Sequence, residues 1–201
     1  MADDKRPPEF MSALVTEHFV LQSAASSTIS ESGSRVAIHL SALSSGLVAI
    51  GFASSSHHAL AALAFTVLPT VFALGWFTIV RLIDTSVANV VSLRRMELIR
   101  RYYASIVPTA AAYFEPDDPV TGTQGVRYGC WSFLFTMASM VITVNCVLGG
   151  ATIALLFDLA FKVPLPGAAG IGVTAGLTLL ALSLRYEHRR LTPVVLSSYV
   201  A

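Results

Sequence analysis

Residues 59–80 read ALAALAFTVLPTVFALGWFTIV, and Arg81 follows at once. A helix needs about 20 predominantly apolar residues to cross a bilayer, because without water its backbone polar groups must be bonded inside the segment. The stretch reaches that length with no charged side chain and then stops on an arginine, a residue type enriched at cytoplasmic boundaries. It predicts a transmembrane helix.

Three further windows extend the pattern in both directions. Val36–Ala53 contains His39, Ser41, Ser44 and Ser45 but no formal charge at neutral pH. Only Ser54 to His58 separate it from residues 59–80, so 36–80 predicts a tight helical hairpin. Cys130–Phe157 is longer than a bilayer requires, which predicts tilt or a helical extension. The fourth window is 167–184, and Pro164 and Pro166 in the link forbid one continuous helix. Residues 129–184 therefore predict a second hairpin. The fold class is all-α: an integral membrane protein with four transmembrane helices. Composition agrees, with 54% hydrophobic and 12% charged residues, against roughly a quarter charged in soluble domains.

The basic residues give an orientation. Lys5, Arg6, Arg35, Arg81, Arg94, Arg95, Arg100, Arg101, Arg127, Arg185, Arg189 and Arg190 fall on one side of the four windows, and only Lys162 on the other. Positive residues concentrate on the cytoplasmic side, so the N-terminal segment 1–35, the central segment 81–128 and the tail 185–201 are expected in the cytoplasm. The first apolar run starts too far in for a cleaved signal, and no lipidation motif is present.

Two of these segments read as helices. In Phe10–Ile29, the residues Leu14, His18, Leu21 and Ala25 share one face, and Gly33 predicts a break before the first span. In Arg81–Val107, Ser92, Met96, Ile99, Tyr103 and Ile106 form a seam. Arg94, Glu97 and Arg101 lie opposite, with Glu97 and Arg101 at ion-pair spacing. This helix is expected to continue from the second span, since no Gly or Pro intervenes, and to end or kink at Pro108. Residues 108–127 read as a loop rich in Pro, Gly and Asp.

Candidate functional residues each have a plain alternative. Ser41, Ser45, Ala49 and Ala53 repeat every four residues, as do Ala168, Gly172 and Gly176; such small-residue rows permit close helix approach, either between chains or within one bundle. His39, inside the first span, suits gating or proton transfer, or a structural hydrogen bond, or snorkelling to the interface. Asn145 suits a polar path or an interhelical hydrogen bond. Pro69 suits a hinge or a simple kink. His57 with His58, and Asp158 with Lys162, could hold an external metal or be solvated loop residues. Arg94, Arg95, Arg100 and Arg101 with Tyr102 and Tyr103 suit anionic lipid head groups, a protein partner or a soluble anion.

Other classes lose support. The net charge of +1 gives no electrostatic case for nucleic acid. Cys130 and Cys146 would lie about 24 Å apart on one helix, too far for a disulfide. No nucleophile elbow, phosphate loop or zinc-ligand pattern occurs, so neither catalysis nor a cofactor is expected.

The residues Thr16-Glu-His-Phe, Thr28-Ile-Ser-Glu31, Arg35, Ser44 to Phe52 and Arg94 to Tyr103 resemble a group of small actinobacterial four-helix membrane proteins that brings no assigned activity. The resemblance implies a bacterial plasma membrane. The architecture is also similar to short transmembrane effectors of nucleotide-signalling defence systems. Two functional expectations follow: an oligomeric pore-forming or membrane-perturbing component controlled through its cytoplasmic helices, or a non-catalytic scaffold that binds a protein partner. A small transporter fits less well, since no charge lies at bilayer depth.

Overall fold

The computed structural model describes residues 8–53, 55–106, 113 and 136–196. Expectations for Lys5, Arg6, the loop 108–127 with Arg127, the start of the third window at Cys130 and the tail beyond 196 fall outside these residues. Four helices are present: α1 (Pro8–Ala53), α2 (His57–Ile106), α3 (Met137–Phe161) and α4 (Leu165–Leu196). Each is long and apolar enough to cross a membrane, and no strand occurs among the described residues.

The helix ends follow local chemistry. Pro8 opens α1 at a position where its missing N–H is not needed. The Ser56 N–H donates to the Ala53 carbonyl at 3.0 Å, closing the short turn into α2. Thr136 caps α3 by accepting the Ser139 N–H at 3.0 Å. α3 stops at Lys162, which takes the left-handed conformation at φ 54°, and the Val163 N–H then donates to the Phe157 carbonyl at 3.2 Å. Pro166 falls in the first turn of α4, where proline is tolerated.

One expected break is absent, and two helices extend beyond their apolar windows. The break expected at Gly33 does not occur, and α1 runs unbroken through it. One interior glycine weakens a helix by about 1 kcal/mol relative to alanine, and the packing of α1 on α2 to either side offsets this. The third helix continues past Phe157 to Phe161, and the fourth runs through Leu184 to Leu196. The expected continuation of the second window into residues 81–106 is found. α2 also runs through Pro69, and the hydroxyls of Thr66 and Thr70 donate back to the carbonyls of Ala62 and Thr66 at 2.9 and 2.7 Å.

At 1.5 Å per residue α1 and α2 are about 70 and 75 Å long, against a hydrocarbon core of about 30 Å. α1 and α2 pair along their lengths, as do α3 and α4; α2 also packs on α3 and α4, whereas α1 does not touch α4. Near the arginine-bearing end, Ile79, Leu82 and Ile83 of α2 meet Ala138, Val141, Ile142 and Cys146 of α3, with Val36 and Leu184 against them. Toward the interhelix turns, Ala64, Leu68 and Val71 meet Leu148, with Leu43 and Ile50 of α1 alongside. Beyond this four-helix body, which reaches the Asp84–Arg190 pair, α1 and α2 continue as a two-helix stalk about 30 Å long. Leu21, Ala25 and Ile99 are buried in the stalk, so the two seams read from sequence contain its packed residues.

Candidate functional site

α1 packs on α2 through a seven-residue repeat: His18, Ala25, Ser32, His39, Gly46 and Ala53 are all buried or half-buried. A heptad keeps one narrow stripe of a long helix facing its neighbour. Gly46 permits the close approach, because a Cβ there would lie 2.7 Å from Val67 Cγ1. Where the stalk meets the body, polar groups join the pair. The Glu31 carboxylate accepts from Arg81 at 2.8 and 3.2 Å and from Arg35 at 2.9 Å. The Ser32 and Thr85 hydroxyls lie 3.0 Å apart. The two guanidinium groups hold Glu31 below the usual carboxylate range.

The opposite side of α1 has a different character. Ser23, Ser26, Ser27, Ser30, Ser34, Ser41, Ser44 and Ser45 are all exposed. At 100° per residue they fall within an arc of about 100°, centred opposite the stripe that packs on α2. Ser41, Ser44 and Ser45 lie inside the apolar window. Their hydroxyls make no side-chain hydrogen bond among the described residues, whereas the exposed hydroxyls of Thr66, Thr70, Thr174 and Thr178 all donate to carbonyls of their own helices.

The two small-residue rows thus occupy different environments. Ser41 and Ser45 are exposed, and the row turns toward α2 only at the half-buried Ala49 and Ala53. Ala168 and Gly172 are buried and Gly176 is half-buried, all in the α3–α4 pairing. A Cβ on Gly172 would lie 2.5 Å from the Gly150 carbonyl oxygen, and one on Gly176 would lie 3.1 Å from that of Cys146. These are backbone contacts and cannot yield by a rotamer change.

His39 is 0% exposed and neither ring nitrogen has a hydrogen-bond partner among the described residues, so it does not snorkel. Asn145 donates to the Phe72 carbonyl at 3.3 Å and fills the space left by Gly75, where any Cβ would collide with it. It is therefore an interhelical tether. On the stalk, Arg101 pairs with Glu97 at 3.2 Å, Arg95 is exposed, Arg94 and Arg100 are half-exposed, and Tyr102 meets Phe10 edge-on at 5.8 Å. Tyr103 is half-buried. Among the described residues no three His, Cys, Asp or Glu side chains converge as metal ligands, and His57 and His58 only stack edge-on at 6.3 Å.

One group was not singled out by sequence spacing. Glu187 on α4 is 0% exposed, and its Oε1 accepts the Thr136 hydroxyl at 2.6 Å. Next to Arg185, Arg189 and Arg190 it reads as one more solvated charge, and only the helical phase of Ser183 and Glu187 hints otherwise. The partner hydroxyl lies 51 positions away. No family model, curated protein or solved structure matches this chain.

Proposed function

We propose that the chain is a multi-pass protein of a bacterial plasma membrane, arginine-bearing end in the cytoplasm, that assembles as a homo-oligomer around a water-filled pore lined by the serine face of α1. The observation that supports this reading is the set of exposed hydroxyls at Ser41, Ser44 and Ser45, on the side of α1 turned away from α2, which make no side-chain hydrogen bond among the described residues. A serine hydroxyl in hydrocarbon has only its own helix's carbonyls as partners, and that back-bond weakens the helix slightly. Three of them within five residues favour water or another copy over lipid on that side. α1 sits at the edge of the four-helix body and contacts α4 nowhere, so it is free to turn its outer face toward a central axis.

Control through the stalk is consistent with the same geometry. Because α1 is one helix from Pro8 to Ala53, displacement of the stalk reaches the pore wall without crossing a hinge. Arg94 lies about 20 Å and Arg101 about 30 Å beyond the apolar window along the α2 axis. Surface potentials decay within roughly 8 Å at physiological salt, so this arginine row suits a protein or soluble anionic partner better than lipid head groups.

Liposomes containing the purified chain are expected to release a small ion, and Ser41→Leu with Ser45→Leu to suppress that release while leaving insertion intact. A correctly inserted oligomer that passes no ion, or one whose flux is indifferent to these leucines, would sink the pore. The scaffold reading is favoured by exposed apolar stalk residues, Phe19 at 64% and Leu98 at 52% exposure. It predicts a specific protein partner lost on changing Phe19 and Leu98 to polar residues. Met96, Ile99 and Tyr103 are poorer targets because they belong to the stalk's own seam.

A further inference from the structure

We propose that Glu187 is a proton-binding site that latches α4 to the N-terminal cap of α3 in its neutral form and releases it when ionised. Thr136 occupies a double role. Its hydroxyl oxygen accepts the Ser139 N–H at 3.0 Å, and its hydroxyl proton goes to Glu187 Oε1 at 2.6 Å. The second carboxyl oxygen, Oε2, is buried without a partner among the described residues. An ionised carboxylate has about four acceptor sites, and here one donor serves them all. A neutral acid in the same place retains the Thr136 bond and carries no buried charge.

Among the described residues, the surrounding charges do not change this balance. α3 carries no ionisable residue between Thr136 and Phe157 other than the buried thiol of Cys146. From α2, Asp84 is engaged by Arg190 at 3.0 Å, so the nearest cation on α4 is directed to another carboxylate. Arg81 is held by Glu31. Arg185, His188 and Arg189 are exposed on other sides of α4, and α1 does not reach it. The partial positive charge of the α3 N-terminus and the Thr136 hydroxyl favour ionisation, but burial outweighs them and raises Glu187 above the ordinary carboxylate range. A raised value means that the latch is fully closed in acid and opens as pH rises through it. The site stands whether or not the pore reading does.

The test uses the full chain in detergent or nanodiscs. Infrared difference spectra recorded across pH are expected to show a protonated-carboxyl band that titrates above the exposed glutamates and is absent in Glu187→Gln, an isosteric variant that can still accept from Thr136. Hydrogen exchange of the Ser139 region, corrected for intrinsic rates, is expected to rise several-fold through the same midpoint in the wild type and to stay flat in Glu187→Gln. Thr136→Val, which removes the donor to the ionised form, is expected to move the midpoint higher. A band in the ordinary glutamate range, or an exchange change that survives Glu187→Gln, would overturn the proposal.

Discussion

The two hairpins approach the same task differently. α3 and α4 are brought together by glycines, with Gly150, Gly172 and Gly176 against one another's backbones and a buried acid closing one end. α1 and α2 are joined by one heptad stripe and an exposed clasp of Glu31, Arg81 and Arg35, with the outer half of α1 left uncovered. Without a hydrophobic drive between helices in lipid, close backbone approach is the main source of pairing strength. The second hairpin therefore reads as the fixed part of the molecule. The first has no comparable backbone-to-backbone glycine contact and carries a long lever outside the body, and it reads as the part that moves.

The most direct way to break this contrast is Gly172→Leu. Forcing a side chain into a backbone contact destabilises by up to about 3 kcal/mol, and the loss should appear in unfolding of the purified protein. Gly33→Ala, where a Cβ meets nothing within 4 Å, should instead be neutral or stabilising by about 1 kcal/mol. If both glycines behaved alike, the asymmetry would be lost.

His39→Leu probes the first hairpin from the other direction. The imidazole is buried without a partner among the described residues, so an apolar residue of similar size should raise stability by about 1–2 kcal/mol. A loss on that scale would instead reveal a bond made by the imidazole in the assembled protein. Ser32→Ala should cost about 0.5–1 kcal/mol, since it removes the cross-helix contact while Thr85 keeps its bonds to the Arg81 and Leu82 carbonyls.

Acid should separate the two polar clasps at the arginine-bearing end of the body. Glu31 sits below its ordinary range, so its contribution is present above pH 4.5 and fades as pH falls through the lowered value. Glu187 behaves oppositely. Exchange protection at the α1–α2 clasp should fall in acid while that at the α3 cap rises, and Glu31→Gln should flatten only the first response. The smallest effect is expected for Glu97→Gln, about 0.5 kcal/mol or less, because its pairing with Arg101 lies within one helix at the surface.

Much of the architecture was written along the chain. Four apolar windows, the short link at Ser54–His58 and the prolines at 164 and 166 specify two hairpins, because length and backbone satisfaction leave few alternatives. The heptad face of Leu14, His18, Leu21 and Ala25 was visible, as was the seam around Ile99. Helix continuity at Gly33 was not, since a lone glycine weakens a helix only slightly and the neighbouring helix decides whether it breaks. The rows at Ser41–Ala49 and Ala168–Gly176 look alike in sequence, yet Ser41 and Ser45 face outward while the second row lies in the α3–α4 contact.

Periodicity within one helix thus determined which residues share a face, because that follows from 3.6 residues per turn. Which face meets which helix was decided only by packing. The pairing of Thr136 with Glu187, of Glu31 with Arg81 and of Asn145 with the Phe72 carbonyl joins positions 50 or more apart. No local rule relates such positions. They meet because each hairpin folds back on itself and α2 packs against α3, and burial then gave Glu187 a character that its arginine-rich neighbourhood in sequence conceals.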